Sequence, residues 1–260
     1  MSVKAERVED HLADFTRDKR ILLLSLFALF IGCVSAFVAW VLVWLISVIT
    51  GLAFYQRYSG ELLSPEHNRL GLFVVFVPAL GGLVIGLLAR YGSEKIRGHG
   101  IPEALEAILF GRSRMSAKVA VLKPLSSAIS IGTGGPFGAE GPIIMTGGAV
   151  GSLFAQMFHL SAAERRTLLV AGAAGGMAAI FNAPVAAVLL AVELLLFEWR
   201  PRSFIPVAAA AAVAAALRVP LMGPGPIFPV HEHAPLGAEA LMITALVGVA
   251  AGLASGLLTT

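Results

Sequence analysis

A single carboxylate stands in the most glycine-rich part of this sequence. Residues 132–142 read GTGGPFGAEGP, and Glu140 is the only Asp, Glu, Lys or Arg between Lys123 and Glu164. Glycines let backbone N–H groups approach a ligand, and a proline suits the first turn of a helix. Such a helix start favours an anion through its free N–H groups and its dipole. Glu140 can occupy that anion position itself when charged and leave it when protonated. The alternative is a carboxylate that merely caps its own helix. A second stretch, GHGIPEALEAI at residues 98–108, repeats the design with Gly98, His99, Gly100, Ile101 and Pro102 ahead of a short apolar helix.

These two starts need elements to hold them, and the elements must sit in lipid. The chain has 260 residues, 57% hydrophobic and only 13% charged. A soluble domain carries about twice that charged fraction. The net charge of +3 is spread between apolar runs, so it marks topology rather than nucleic acid. The lone Cys33 excludes a disulfide framework within the chain. No phosphate-binding loop, HExxH or GxSxG is present, and GTGGPF lacks the last glycine of GxGxxG, so enzyme readings find no support. No cofactor is expected.

Residues 1–20 are charged and amphipathic and read as a cytoplasmic N-terminal segment. Residues 21–55 are long enough to need tilt or projection beyond the bilayer, and 70–88 form a second span. Residues 101–110 rise about 15 Å as a helix, half the hydrocarbon core, so they form a half-helix that returns to the side it left. Residues 119–131 and 143–160 read as one span broken at the glycines. Residues 166–181 and 185–197 read as another, broken at NAP, and 204–217 are short again. A final helix starts at 241. With this layout Arg57, Arg69, Arg165, Arg166 and Arg218 fall outside. The other Lys and Arg fall inside, except Lys123 near a membrane end, which satisfies the positive-inside rule with a cytoplasmic N-terminus. Irregular backbone at membrane depth is tolerated only where protein buries it or a polar path runs beside it.

The motifs resemble the CLC family of chloride channels and anion/proton antiporters. GHGIP resembles the family's GSGIP, and GAEGP resembles its G(K/R)EGP. Residues 171–193, AGAAGGMAAIFNAPVAAVLLAVE, resemble the segment that follows. The resemblance implies an all-α integral membrane fold, a CLC-type bundle of tilted, broken and re-entrant helices, of which residues 21–260 are the first inverted half only. It implies a homodimer in the cell membrane that moves chloride or a similar anion, with protons as the coupled partner. It makes Glu140 the gating glutamate, Gly98, His99, Gly100, Ile101 and Pro102 the lining of the central anion site, and Gly138, Gly141 and Pro142 that of the outer one.

Three departures follow. His99 stands in place of the family's anion-coordinating serine; an imidazole donates one hydrogen bond when neutral and is a cation when protonated. It either tunes anion affinity or selectivity, toward fluoride or nitrate for example, or faces water without a ligand. Leu194 stands where antiporters carry an inner proton-transfer glutamate, with Glu193 and Glu198 as neighbouring substitutes. No second inverted half follows, and GPIFP at 225–229 is only superficially like the family's later GxFxP. Lys123 either snorkels to the interface or lends positive potential to the anion path. HEH at 231–233 reads as a solvated loop rather than a metal site. Gly82/Gly86, Gly147/Gly151 and Gly172/Gly176 have the spacing of close helix packing. A proton-linked carrier of a non-halide solute and a non-conducting membrane subunit are the competing readings.

Overall fold

Thirty-six residues with no charge after Arg20 form the first helix, α1 (Arg20–Tyr55). At 1.5 Å per residue it is about 54 Å long, as the apolar run requires. The computed structural model describes residues 20–225 and 237–259. The expectations for the amphipathic N-terminus, for the HEH loop and for all but the first residue of GPIFP lie outside the described residues.

After α1 the chain forms α2 (Phe76–Tyr91), α3 (Ile101–Leu109), α4 (Ala117–Gly132), α5 (Glu140–Gln156), α6 (Ala162–Phe181), α7 (Pro184–Ala191), α8 (Pro201–Met222) and α9 (Ala238–Thr259). A single 3-10 turn leads into α2, so residues 71–91 make one apolar stretch. Among the described residues, four helical stretches are long and apolar enough to cross a membrane, those of α1, α2, α8 and α9. Helix α9 forms a unit of its own. The half-helix expected at 101–110 is present as α3, nine residues and about 14 Å long.

α6 is the centre of the bundle. Residues 167–180 are all buried, and most are Gly or Ala. Small side chains let neighbouring backbones come close, which is how helices associate where lipid removes the hydrophobic drive. Gly147 of α5 lies against Gly172, and Gly151 against the Leu168 backbone; a Cβ on either would overlap a carbonyl oxygen. On another side Gly175 faces Gly32 of α1. The GxxxG spacing in α5 and α6 therefore marks packing. Gly82 and Gly86 do not behave this way, because a Cβ on either meets nothing within this chain. The close approach on α2 is made one residue earlier, by Gly81 against Thr133.

Two expected broken spans are helical hairpins instead. Ser152 near the end of α5 accepts the Met115 N–H at 2.9 Å and donates to Ser113 O at 2.7 Å, and Gln156 donates to Met115 O at 3.1 Å. The end of α5 thus returns to the start of α4. The reversal is made by residues 133–139, where Gly134 takes φ +88°. In the same way Arg166 in the first turns of α6 meets Glu198, beyond α7, at 3.2 Å. Asn182 turns the chain in left-handed conformation and Pro184 starts the return helix, a stop that prevents α6 continuing. Both hairpins move Arg165 and Arg166 to the Arg20 end, where Arg20 lies 3.5 Å from Glu164 and Arg165 donates to Arg112 O at 3.3 Å.

α8 is longer than the run 204–217 foretold. Its expected end was the charge of Arg218, but that side chain is fully buried. The guanidinium donates to Gly223 O at 2.8 Å and Gly225 O at 2.6 Å. It thereby serves the carbonyls at the helix exit, and the helix runs on to Met222.

Candidate functional site

α3 begins because Gly100 can adopt φ +115°, a conformation costly for any residue with a Cβ. Pro102 occupies its first turn, and Glu103 turns back so that Oε2 accepts the Gly100 N–H at 2.8 Å. The side chain of Glu103 lies over Gly98, where a Cβ would collide with it. The acid in this helix start therefore caps its own helix.

α5 begins differently. Glu140 is its first residue, Gly141 and Pro142 follow, and Ala139 provides no side-chain cap. Pro142 has no N–H, and the first bond of the ladder is Ile143 N–H to Ala139 O at 2.9 Å. The N–H groups of Glu140 and Gly141 are left free of the helix ladder. Glu140 is exposed, and its carboxylate lies over Gly138 rather than over its own helix start. Among the described residues it enters no ion pair.

The two starts meet. A Cβ on Gly100 would overlap the Gly141 carbonyl, and a Cβ on Gly141 would overlap His99 O and stand 2.6 Å from His99 Nδ1. Gly100 and Gly141 therefore touch backbone to backbone, and the His99 imidazole lies against the first turn of α5. The segment leading to α3 is held from behind by α4. Lys123, buried to 2% exposure, donates from Nζ to Ile96 O at 3.1 Å and also to Gly98 O. Burying an ammonium is expensive unless it is hydrogen-bonded. Here two carbonyls of the loop fill that role, so Lys123 does not snorkel to an interface.

A cavity of about 380 Å³ opens beside the junction. Gly98, His99, Lys123, Gly138 and Pro142 line it, with Pro78, Gly82 and Ile85 of α2 opposite. Ser126, Ser127, Ser130 and Thr133 give it a hydroxyl face. Thus His99, Gly98, Gly100, Gly138, Gly141, Pro142 and Lys123 are gathered in one place. Ile101 and Pro102 stand just behind, in the first turn of α3.

Glu193 and Glu198 lie elsewhere. A π-helical turn at Val192–Leu196 interrupts the helix, and Glu193 is exposed on it beside Leu194. Glu198 follows Phe197, which is left-handed at φ +57°. It pairs with Arg166 at 3.2 Å and with Arg200 at 3.6 Å, and accepts from Ser203 Oγ at 2.8 Å. Neither glutamate lines the cavity. The hydroxyl face of α4 escaped the sequence reading. Its signal was the spacing from Lys123 to Ser126, Ser127, Ser130 and Thr133, which keeps one helix face polar.

A family model described as voltage gated chloride channel matches residues 81–260. The chain belongs to that family. Among its relatives, the voltage-gated ClC-type chloride channel ClcB of Yersinia pestis is 31% identical over 200 residues, 76% of this chain and 48% of the relative. The H+/Cl− exchange transporter ClcA of Vibrio campbellii is 39% identical over 117 residues, 45% of this chain and 24% of the relative. The solved structure of a slow cyanobacterial Cl−/H+ antiporter superposes with a TM-score of 0.69 at 21% identity, over 92% of this chain and 55% of that one. The CLC fold is thereby shown, as the motifs implied, and the chain spans about half the length of the curated relatives it matches. Family membership and the apolar helices make it an integral membrane protein.

Proposed function

We propose that this chain supplies one wall of a CLC anion pathway, which moves chloride or a similar small anion across a cell membrane with Glu140 as its protonation-controlled gate. The observation that carries the reading is the meeting of two helix starts, Gly100 against Gly141, beside a carboxylate bound by neither. Two positive dipole ends at one point favour an anion. Deprotonated, Glu140 competes for the free N–H groups of α5; protonated, it has no charge to hold it there. Anion movement then rises as pH falls. Gly98, His99, Gly100, Ile101 and Pro102 line the site from the α3 side, and Gly138, Gly141 and Pro142 from the α5 side.

The hairpins bear on orientation. Among the described residues, Arg57 and Arg69 follow the far end of α1, Arg218 lies in the last turns of α8, Lys123 is buried, and Arg112, Arg165, Arg166 and Arg200 gather at the Arg20 end. That asymmetry supports an N-terminus in the cytoplasm. It is stronger than the sequence layout suggested, because Arg165 and Arg166 have changed sides. Relatives named for a channel and for an exchanger support anions, with or without protons, as the transported species. The homodimer implied by the family belongs to this proposal too.

The deciding experiment is anion efflux from liposomes holding the full protein, wild type against Glu140→Gln, with external pH recorded. Chloride efflux that rises with acid in the wild type and loses its pH dependence in the variant supports the gate. A protein that moves no halide, with or without the substitution, overturns the anion reading and favours a proton-linked carrier of another solute.

A further inference from the structure

We propose that His99 is the proton partner of Glu140: its imidazole passes the proton that neutralises the gating carboxylate, by way of the hydroxyl-lined cavity that His99 lines and whose wall at Gly138 lies under that carboxylate. The proposal rests on the gate reading above and adds the source of the proton.

The juxtaposition is specific. His99 lies against Gly141, the residue that follows Glu140, and it lines the cavity. The Glu140 carboxylate lies over Gly138, which lines the same cavity. α4 contributes Ser126, Ser127 and Ser130 to the lining of this cavity. Ser127 lines the cavity, and among the described residues its hydroxyl has no protein partner. An accessible hydroxyl of this kind is met by water. At about 30 Å³ per molecule in the liquid, a cavity of 380 Å³ has room for a chain of them.

The other charged groups around His99 are engaged or do not exchange protons near neutrality. On its own segment Arg97 is exposed and does not exchange protons near neutrality. From α3, Glu103 is held by the Gly100 N–H. From α4, Lys123 is held by Ile96 O and Gly98 O. From α5, Glu140 is the acceptor. The inner carboxylates do not compete. Leu194 cannot titrate, Glu198 is fixed between Arg166 and Arg200, and Glu193 stands apart on the π-helical turn after α7. An imidazole, by contrast, can both give and take up a proton.

The step balances without a further reactant. An N–H bond of the imidazolium breaks and an O–H bond forms on Glu140, with each bridging water receiving one proton and giving one up. His99 becomes neutral as Glu140 becomes neutral. The site thus loses its cation and its competing anion together, and His99, which is exposed, regains a proton from water.

The test uses the full protein in liposomes, with chloride efflux and proton flux recorded together for wild type, His99→Gln, His99→Ser and Glu140→Gln across roughly pH 5 to 8. Positioned proton transfer contributes about a hundredfold or more. The proton flux per chloride is therefore expected to fall about a hundredfold in both His99 variants, whatever happens to the absolute chloride rate. Its pH step within the imidazole range is expected to vanish. A role confined to packing or anion contact would change chloride affinity while leaving that ratio and that step intact, and this outcome overturns the proposal. Wild-type chloride movement without protons also overturns it and leaves the gate standing. Movement of no anion at all sinks the gate and the relay together.

Discussion

The two glycine-proline helix starts look alike in sequence and differ in what their acids do. At α3, Glu103 is three residues past Gly100 and reaches back to its N–H. At α5, Glu140 is the first residue, too early to fold onto its own helix end, and it turns toward Gly138. A shift of three positions thus separates an acid that completes a helix from one that is free to leave. The α3 start is also fixed by Lys123, whereas among the described residues nothing equivalent holds the Glu140 side chain. The first start is held on two sides, and the second carries the carboxylate proposed above as the gate.

The largest effect should come from breaking the contact on which the comparison depends. Gly100→Ala puts a Cβ into the Gly141 carbonyl and into an unfavourable φ. Strain and overpacking together cost about 2–6 kcal/mol, and the variant should lose its monodisperse peak in detergent size-exclusion chromatography. Next is Lys123→Met, which leaves Ile96 O and Gly98 O without their donor. Each unsatisfied carbonyl costs about 1–3 kcal/mol, so the melting temperature should drop and anion flux fall with it. A melting temperature unchanged from wild type would show that the α3 loop needs no clamp.

The sharpest contrast is between the acids. Glu103→Gln weakens a charge-assisted bond to a backbone N–H, a loss of about 1 kcal/mol, and should lower stability without removing the pH dependence of transport. Glu140→Gln should do the reverse, with melting unchanged and the pH dependence gone. Identical behaviour of the two variants would erase the distinction drawn here. The smallest effect is expected at α2. Gly82→Ala meets open space and should change stability by less than about 0.5 kcal/mol, while Gly81→Ala presses on Thr133 and should be measurably destabilising in the same melt.

Much of this was legible in the sequence. The length of α1, the half-helix α3 and the pairing of the two motifs all followed from run lengths and glycine-proline spacing. The hairpins did not. Two half-length apolar runs joined by glycines, or by Asn-Ala-Pro, read equally well as one interrupted crossing or as two helices folded back. Only tertiary bonds such as Ser152 to Ser113 and Arg166 to Glu198 distinguish them. The extent of α8 was misjudged because Arg218 reads as a boundary, when its long side chain serves carbonyls beyond the helix end. At the site, the positions of Glu140 and His99 were visible. The capping of α3 by Glu103 and the hydroxyl face of α4 required knowing which way side chains turn.

The contact between Gly100 and Gly141 also imposes an order on biosynthesis. The polar end of α3 finds its protein partner only after roughly forty more residues have left the ribosome, which at about 5–20 residues per second takes about 2–8 s. A nine-residue helix is too short to enter the lipid as an independent span. During those seconds it must wait at the interface or inside the insertion machinery, and α5 brings the surface that lets it descend. The two helix starts therefore reach their places in one event, so a ribosome that stalls between them leaves a chain with its spans inserted and this contact unformed.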